Sequence, residues 1–221
     1  MPLQSLKIPS FISNWEMVSG YAGTRMSQAL VAHPKSLDDC IELIEYSKNC
    51  NMTVCPRGGG FSWGDMILNN GHILVDLSGM RSILNINTDN QQIVVQSGVQ
   101  FGDIFPKILP LNLTLPACPG GVHVTIGGAI SNNVHGKDSF SSGNFGDQVV
   151  SMKLLLSSGK LINVDRIINK QIFEAVVGGM GLIGIIIEAT LLLKKEYVLA
   201  PDFLAGGDPR ILFFNPGSYR R

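Results

Sequence analysis

The sequence predicts an α+β fold whose sheet is largely antiparallel. Stretches with the two-residue alternation of strands and stretches with helical spacing follow one another without regular βαβ alternation, which disfavours a doubly wound parallel sheet. The chain can also bury a large core, since 45% of its 221 residues are hydrophobic and only 15% are charged. A chain of this length forms one large domain or two small ones.

The charge balance narrows the range of partners. Lysine plus arginine and aspartate plus glutamate number 17 each, so the formal net charge is zero. Without a basic field, the sequence predicts no nucleic-acid partner. The most apolar run, Leu182–Leu193, is shorter than the roughly 20 residues that span a bilayer, so we expect no transmembrane segment.

The N-terminal residues and the cysteines indicate the compartment. Residues 1–11 lack the long apolar core of a signal peptide, which predicts a cytoplasmic protein and leaves peripheral membrane association open. The four cysteines show neither CxxC spacing nor a paired histidine pattern. We therefore expect no metal site and a reducing environment.

The N-terminal elements are predicted first. Residues 1–24 have little periodicity and are predicted to form an arm, followed by an extended lead-in. Ser36 as N-cap, with two aspartates in the first helical turn, predicts a helix that ends near residues 49–51. Met52–Cys55 is predicted as a short strand that ends at Pro56.

The remaining elements follow from alternation, turn residues and helical spacing. Strands are predicted at His72–Asp76, Ser82–Asn87, Gln91–Gln96, Val149–Ser157, Lys160–Val164 and Ile183–Lys194. Helices are predicted at Val99–Leu109, Ile126–Ile130 and Ile172–Val176. Residues 196–221 contain several prolines and glycines without a clear period, which predicts an irregular C-terminal tail.

The nine residues from Arg57 to Asp65 form the first candidate binding loop. Their sequence, RGGGFSWGD, follows a predicted strand, and its consecutive glycines allow positive φ and expose a row of N–H groups, as in an anion nest. Arg57 adds a fixed positive charge and Ser62 a hydroxyl donor. Phe61 and Trp63 add rings that can cover an aromatic ligand. We interpret the loop as a phosphate-binding site, against the alternative of a mobile surface turn.

A second glycine-rich stretch runs from Cys118 to Asp147. Its 30 residues contain seven glycines and two histidines but almost no hydrophobic periodicity. Ordered loops of this length are usually functional. The short helix predicted at Ile126–Ile130 would point its first N–H groups at an anion. His135, close to Lys137, is the candidate reactive side chain, although a loop histidine is often only a polar surface residue.

Formal nucleotide-binding and hydrolase motifs are absent or misplaced. The segment Gly179–Gly184 spells GxGxxG, but it precedes a predicted strand, whereas the dinucleotide fingerprint follows a strand and opens a helix. The sequence contains no GxxxxGK[ST] phosphate loop and no GxSxG nucleophile elbow. These observations disfavour a Rossmann site and a serine hydrolase.

Six blocks in a fixed order carry a resemblance to a known family. They are Arg57–Asp65, Pro119–Gly120, Val124–Ile130, Val134–Asp138, Ser142–Gly146 and Val177–Ile186. Together they resemble the FAD-binding domain of the vanillyl-alcohol oxidase / p-cresol methylhydroxylase (PCMH-type) flavoprotein superfamily, and within it the decaprenylphosphoryl-β-D-ribose 2′-oxidase-like FAD-linked oxidases. The HGK…SSGNFG segment is the most specific part, and the resemblance covers residues 25–195.

The resemblance implies FAD as the cofactor and two α+β lobes that grip it, at about residues 25–80 and 85–195. The residues that would wrap the FAD pyrophosphate are Arg57, Gly58, Gly59, Gly60, Phe61, Ser62, Trp63, Gly64 and Asp65. Those that would line the flavin and its phosphates are Gly120, Thr125, Ile126, Gly127 and Gly128, and Ile186 would lie near the adenine. Those that would lie by the isoalloxazine are His135, Gly136, Lys137 and Asp138, with His135 nearest the reacting face.

The sequence differs from the family pattern at two points, and each difference leads to a prediction. Many relatives bear a histidine at the position of Phe61 and bond it covalently to the flavin, so Phe61 predicts noncovalent, dissociable FAD. Relatives also continue into a substrate-binding domain, and nothing after Glu196 resembles one. The sequence therefore predicts that the substrate domain is missing, with a truncated product, a fragment and one part of a split enzyme as alternatives.

These implications predict an FAD-linked oxidase or dehydrogenase that acts on CH–OH donors. The substrate would be a sugar or polyol-type alcohol, with hydride transfer to flavin N5. His135 would polarise or orient the substrate hydroxyl, and Lys137 would stabilise negative charge on the reduced flavin or hold the phosphate loop. The alternatives are an FAD-binding module without independent turnover and a degenerate interaction protein. A separate chain that carries the substrate domain or accepts the electrons is the expected kind of protein partner.

Overall fold

The computed structural model describes residues 7–195. Their strands form two main sheets that follow one another along the chain, and helices pack against both. This mixture confirms the α+β class. None of the helices in this range is long and apolar enough to cross a membrane.

The first sheet is built from residues 12–76. Its elements are β1 (Ile12–Ser19), β2 (Met26–Ala32), α1 (Leu37–Asn49), β3 (Val54–Arg57) and β4 (Ile73–Asp76). The strand order is β1-β2-β4-β3, with β1 and β2 antiparallel and with β2 and β3 both parallel to β4. Ser36 caps α1, since its hydroxyl accepts a hydrogen bond from the N–H of Asp39 at 3.1 Å.

The second sheet is antiparallel throughout. The elements of this part of the chain are β5 (Ile83–Asn87), β6 (Gln92–Gln96), α2 (Phe101–Ile108), β7 (Leu113–Thr114), α3 (Ile126–Ser131), α4 (Ser139–Ser142), β8 (Val149–Leu155), β9 (Leu161–Asp165), α5 (Lys170–Val176), β10 (Ile185–Leu192) and β11 (Lys194–Lys195). The strand order is β5-β6-β10-β8-β9, and the short strands β7 and β11 pair with each other.

Two large hydrophobic clusters hold these elements together. The first packs α2, α3 and α5 with the second sheet and contains the fully buried rings of Phe101 and Phe145. The second packs α1 on the first sheet, and it also contains Leu155, Ile185 and Ile187 from β8 and β10. Because residues from both sheets enter this second cluster, the two sheets share a core at their junction.

Elements with strong local signals form where they are predicted. The capped helix α1, the hairpin of β8 and β9, and the helices α2, α3 and α5 all agree within a few residues. β3 runs past Pro56 to Arg57, beyond its predicted end. An edge strand tolerates a proline because the missing N–H has no neighbouring strand to bond. The predicted tail, residues 196–221, lies outside the described residues.

Two features of the first sheet were not predicted. Residues 12–19, within the predicted N-terminal arm, form β1. Only Ile12 and Val18 of this edge strand are buried, so no apolar alternation marks it in the sequence. The pairings of β2 and β3 with β4 are parallel, whereas the other strand pairings in the described residues are antiparallel, as predicted for most of the fold.

Candidate functional site

A cleft opens at the junction of the two sheets. It encloses about 560 Å³ of space free of protein atoms, part of it continuous with solvent. Its walls come mainly from the end of β3 with the loop that follows, the first turn of α3, and the residues that lead into β10. The predicted cofactor residues among them are Arg57, Gly58, Ser62, Thr125, Gly127, Gly128 and Ile186.

The loop that follows β3 carries unused backbone donors. Within residues 7–195, none of the N–H groups from Gly58 to Asp65 donates a hydrogen bond to another residue. Gly60 and Gly64 both have φ of +77°, a conformation that a side chain would strain. Successive unpaired N–H groups in such a turn form a nest for an anion.

Arg57 supplies the charge of the cleft. Among the described residues that line the cleft, it is the only charged one. In the described part of the chain, no carboxylate lies within ion-pair distance of its guanidinium. The guanidinium lies beside Gly60 instead, where an added Cβ would be 2.7 Å from Nη2. A fixed positive charge without a counter-ion from the protein favours an anionic ligand.

The loop approaches the facing wall closely at Gly58, which has no side chain. A Cβ added to Gly58 would collide with Oγ1 of Thr125, so the two walls touch at this point. A Cβ added to Gly127 would lie 2.9 Å from the Cβ of Ser97. Thr125 is 1% exposed and caps α3 by accepting a hydrogen bond from the N–H of Gly128 at 3.3 Å. Side chains at these glycines would narrow the cleft.

The first amides of α3 do not serve as anion donors. The N–H groups of Ile126 and Gly127 donate to the carbonyl oxygens of Val99 and Ser97, each at 2.8 Å. The prediction that this helix points free N–H groups at an anion is therefore wrong. The side chain of Ile126 is also fully buried in the core and does not line the cleft. Gly127 and Gly128 line the cleft through their backbone alone.

Ser97 is a cleft residue that sequence reasoning missed. It follows β6, lines the cleft and is 1% exposed. Its N–H donates to the Ile187 carbonyl at 3.1 Å, but its hydroxyl has no hydrogen-bond partner in the described chain. An unpartnered buried hydroxyl costs about 1–3 kcal/mol, which a ligand group would relieve. In the sequence, Ser97 is marked only by the Ser97-Gly98 pair that follows a predicted strand. Such a pair is typical of any turn and does not indicate a binding residue.

The second glycine cluster forms the remaining wall. Met180, Gly181 and Gly184 line the cleft just before β10. The GxGxxG spelled by Gly179–Gly184 leads into a strand and opens no helix, which confirms that it is not a dinucleotide fingerprint. Ile186, in β10, is 4% exposed and borders both the cleft and the core.

The outer half of the glycine loop carries exposed aromatic rings. Phe61 is 40% and Trp63 is 68% exposed, and neither lines the cleft. The Phe61 ring stacks on that of His123, with centroids 6.5 Å apart and an interplanar angle of 14°. Tyr21, from the turn between β1 and β2, contacts both Phe61 and Trp63, with ring centroids 5.4 Å apart in each case. The other loop residues outside the cleft walls are Gly59, Gly60, Gly64 and Asp65.

The predicted reactive residues lie outside the cleft, on the connection between α3 and α4. His135 and Lys137 are exposed, and Asp138 is half-buried. Gly120 is also exposed, and a Cβ added there would meet nothing within 4 Å. The structure therefore does not bring these residues into the walls of the cleft.

A chain of contacts connects this outer segment to the glycine loop. Gly136 packs against the carbonyl oxygen of Cys118 and leaves no room for a side chain. From Cys118 the polypeptide continues to His123, whose ring stacks on that of Phe61. A surface thus extends from the glycine loop to the segment that bears His135.

The residues of the cleft fit FAD, the group that the resemblance implies. The unpaired amides of Gly58 and Ser62 and the guanidinium of Arg57 match a pyrophosphate, and no acidic side chain is among the described residues that line the cleft. Ser97 offers a hydroxyl without a partner. Gly58 and Gly127 allow the close packing that shapes the cleft, since an added Cβ at either would lie under 3.0 Å from a neighbouring atom.

Known proteins match most of this chain in sequence. Residues 28–165 match the family described as FAD binding domain. The chain is 35% identical over 170 residues to decaprenylphosphoryl-β-D-ribose oxidase of Mycolicibacterium smegmatis, a match that covers 75% of this chain and 37% of that protein. It is 26% identical over 192 residues to L-gulonolactone oxidase of Bos taurus, which covers 83% of this chain and 43% of that protein. The chain thus spans less than half the length of these relatives.

A solved structure shares the fold. A crystal structure of 6-hydroxy-D-nicotine oxidase from Arthrobacter nicotinovorans matches with a TM-score of 0.68 at 23% identity, covering 75% of this chain and 36% of that one. The resemblance inferred from the six ordered sequence blocks is confirmed. The chain belongs to the FAD-binding domain family of the PCMH-type flavoproteins, and its cofactor is FAD.

Proposed function

We propose that the chain is the FAD-binding part of an oxidoreductase that oxidises a CH–OH group of a sugar or polyol-type alcohol. Its membership of a family with FAD-linked oxidases supports the oxidoreductase chemistry. Two relatives support the substrate class, since their names specify a ribose derivative and a gulonolactone. We assign the FAD-binding domain to residues 25–195, with lobes at about 25–80 and 85–195.

The unpaired amides from Gly58 to Asp65 are the observation that carries this proposal. Together with Arg57 they would hold the FAD pyrophosphate, the most strongly charged part of the cofactor. Ser97 and Gly127, on the facing wall, would contact the adjoining part of the cofactor. Ile186 would lie near the adenine.

The outer segment would act on the substrate. When bound, FAD supplies a hydride acceptor at flavin N5. His135 would accept a hydrogen bond from the substrate hydroxyl, which orients the carbon that loses the hydride and gives the hydroxyl proton an acceptor. Lys137 would place its ammonium where negative charge accumulates during the reaction. Both side chains are exposed, so a substrate can reach them from solution.

A second candidate is an FAD-binding module that turns over only together with other protein. The chain covers 37% and 43% of the two relatives' lengths. His135 and Lys137 also lie on an open surface, outside the cleft. A separate chain that carries the substrate-binding domain or accepts the electrons would then be the required partner.

One experiment separates the two candidates. The purified chain is loaded with FAD, mixed anaerobically with sugars, sugar lactones and polyols, and followed by visible flavin absorbance. Bleaching by one class of alcohol, slowed about 100-fold or more by His135→Ala, would support the oxidoreductase. A flavin that stays oxidised with every alcohol but is bleached by dithionite would indicate the module. A chain that takes up no FAD would contradict both.

Phe61 adds a prediction about how FAD is held. Its carbon ring has no nitrogen to form a covalent bond with the flavin, so acid precipitation should leave all the flavin in the supernatant. The measurement is the flavin absorbance of the supernatant and of the redissolved pellet. Flavin that stays with the pellet after washing would show a covalent bond and would contradict the prediction.

A further inference from the structure

We infer that the turn between β1 and β2, residues 20–25, is a positioning element of the cofactor site, with Tyr21 as its central side chain. The amides from Gly58 to Asp65 make no hydrogen bonds within the described chain. Other contacts must therefore hold this loop in the conformation that groups those amides. The inference rests on the proposed placement of the FAD pyrophosphate at the loop.

Two backbone contacts join the turn to the loop. The N–H of Tyr21 donates a hydrogen bond to the carbonyl oxygen of Ser62 at 3.2 Å. Gly20 packs so tightly on Gly64 that an added Cβ would collide with the Gly64 carbonyl oxygen. Both contacts use the carbonyl side of the loop and leave its N–H groups unoccupied.

Side chains add an ion pair and two ring contacts, which differ in strength. Arg25 Nη1 lies 3.3 Å from Asp65 Oδ2, but the two side chains are 71% and 62% exposed, so solvent screening makes this ion pair weak. The Tyr21 ring meets Phe61 and Trp63 at centroid distances of 5.4 Å, and its contact with Trp63 is edge-to-face. Aromatic pairs at this distance and geometry are favourable beyond the area that they bury. Tyr21 therefore provides the main side-chain support.

A second support holds the other side of the loop. Phe61 stacks on His123, and a Cβ added to Gly59 would lie 2.7 Å from the His123 carbonyl oxygen. The loop is thus held between Tyr21 and His123. A loop that is ordered before binding loses less conformational entropy when the ligand arrives, which increases affinity. Tyr21 would act on FAD through Phe61 and Trp63, without touching it.

The test is Tyr21→Ala, with FAD affinity measured by titration of flavin fluorescence. We expect about tenfold weaker binding. The melting temperature of the FAD-free protein should hardly change, because Tyr21 is 56% exposed. Tyr21→Phe keeps the ring and should restore wild-type affinity. Met17→Ala is the matched control, since Met17 is 61% exposed on β1 of the same hairpin.

The backbone order parameters of residues 58–65, measured by NMR relaxation, give a second readout, which should fall in Tyr21→Ala and return to wild-type values in Tyr21→Phe. Wild-type affinity in Tyr21→Ala would overturn the inference. So would a loss of affinity that Tyr21→Phe does not restore. Arg57→Gln tests the proposed placement of the FAD pyrophosphate independently of Tyr21. Unchanged FAD affinity in Arg57→Gln would refute the placement itself. Weaker binding in Arg57→Gln with normal binding in Tyr21→Ala would refute only the role of the turn.

Discussion

Two buried hydroxyls without partners in the described chain offer a matched test of the cleft. The Oγ atoms of Ser97 and Ser27 both lack a hydrogen bond, and the two residues are 1% and 5% exposed. Each destabilises the ligand-free fold by about 1–3 kcal/mol. Of the two, only Ser97 lines the cleft, so we expect a bound ligand to pair only with the Ser97 hydroxyl. Ser97→Ala and Ser27→Ala should therefore differ in their effect on the affinity for FAD.

Ser97→Ala should weaken FAD binding about five- to tenfold, the size of one net hydrogen bond. The same change should leave the melting temperature of the FAD-free protein unchanged or raise it, because an unsatisfied hydroxyl is removed. Ser27→Ala should show the same stability effect with unchanged FAD affinity. Fluorescence titration and thermal unfolding provide the two measurements. Equal FAD affinity in Ser97→Ala and wild type would remove Ser97 from the binding site.

Single residues were predictable where a local pattern carries the chemistry. Arg57 and its glycines follow a strand directly, so charge and backbone freedom are visible in nine consecutive letters. The hydroxyl of Ser97 loses its water through packing against Gly127, far along the chain, and no local signal shows this. The contact of Tyr21 with Trp63 likewise depends on how β1 enters the sheet.

At the scale of elements, Arg81 and Asp103 connect the start of the second sheet to α2. Arg81 donates two hydrogen bonds to the carboxylate, from Nε at 2.6 Å and from Nη2 at 2.7 Å. The N–H of Gln100 donates a third, at 2.9 Å. Burial alone would raise the pKa of Asp103, but these bonds and the charge of Arg81 outweigh burial and lower its pKa. The ionised carboxylate therefore stabilises the fold.

Arg81→Gln should lower the free energy of unfolding at neutral pH by about 1–2 kcal/mol, the value of a charge-assisted hydrogen bond. The pKa of Asp103 is lower in the folded state than in the unfolded state, where it is about 3.9. The stabilisation is therefore complete above that pH and is lost as the pH falls through the lower folded-state pKa. The difference between wild type and variant should shrink below about pH 4, as urea unfolding at several pH values would measure.

Lys170→Gln is the control for this ion pair. Lys170 lies 3.7 Å from Glu174, one helical turn away, and the two side chains are 61% and 60% exposed. Its loss should cost less than about 0.5 kcal/mol. A destabilisation by Arg81→Gln that stays constant down to about pH 3 would contradict the role of the Asp103 carboxylate.

Elements differ in how far their own sequence determines them. Ser36 and Asp39 predict the start of α1, and Ser158-Gly159 predicts the turn between β8 and β9, because these signals lie within a few residues. The strand β1 gives no such signal, since only two of its eight residues are buried. The parallel pairing of β2, β3 and β4 joins segments that are separated by a helix or a long loop, and turn residues cannot specify it.

At the scale of the whole molecule, the cleft requires both sheets. Arg57 ends β3 of the first sheet and Gly58 follows it. Ser97 follows β6 of the second sheet, and Gly127 lies in α3, which packs against that sheet. The order of the sequence blocks was enough to predict the family and its fold. It did not show that Leu155 and other residues of the second sheet enter the core of the first. That shared core predicts that the two sheets unfold together.

The protein should therefore unfold in a single transition, and FAD should shift that transition to a higher temperature. At a free concentration of about 100 times Kd, a ligand that binds only the folded state adds about 2.7 kcal/mol. For a chain of this size, that gain raises the melting temperature by about 5–10 °C, which calorimetry would measure. Two separate transitions in the FAD-free protein would contradict the shared core.

A matched pair of glycine variants would show whether this stabilisation comes from the cleft. A Cβ at Gly58 would collide with Thr125 Oγ1, where the two walls touch. Gly58→Ala should therefore remove most of the FAD-dependent shift, whatever its effect on the FAD-free protein. Gly121 has a side-chain atom of Val124 at 3.8 Å as the nearest neighbour of an added Cβ, so Gly121→Ala should keep the full shift. If Gly58→Ala kept the full shift in melting temperature, FAD binding would not depend on the contact between Gly58 and Thr125. FAD would then bind elsewhere on the molecule.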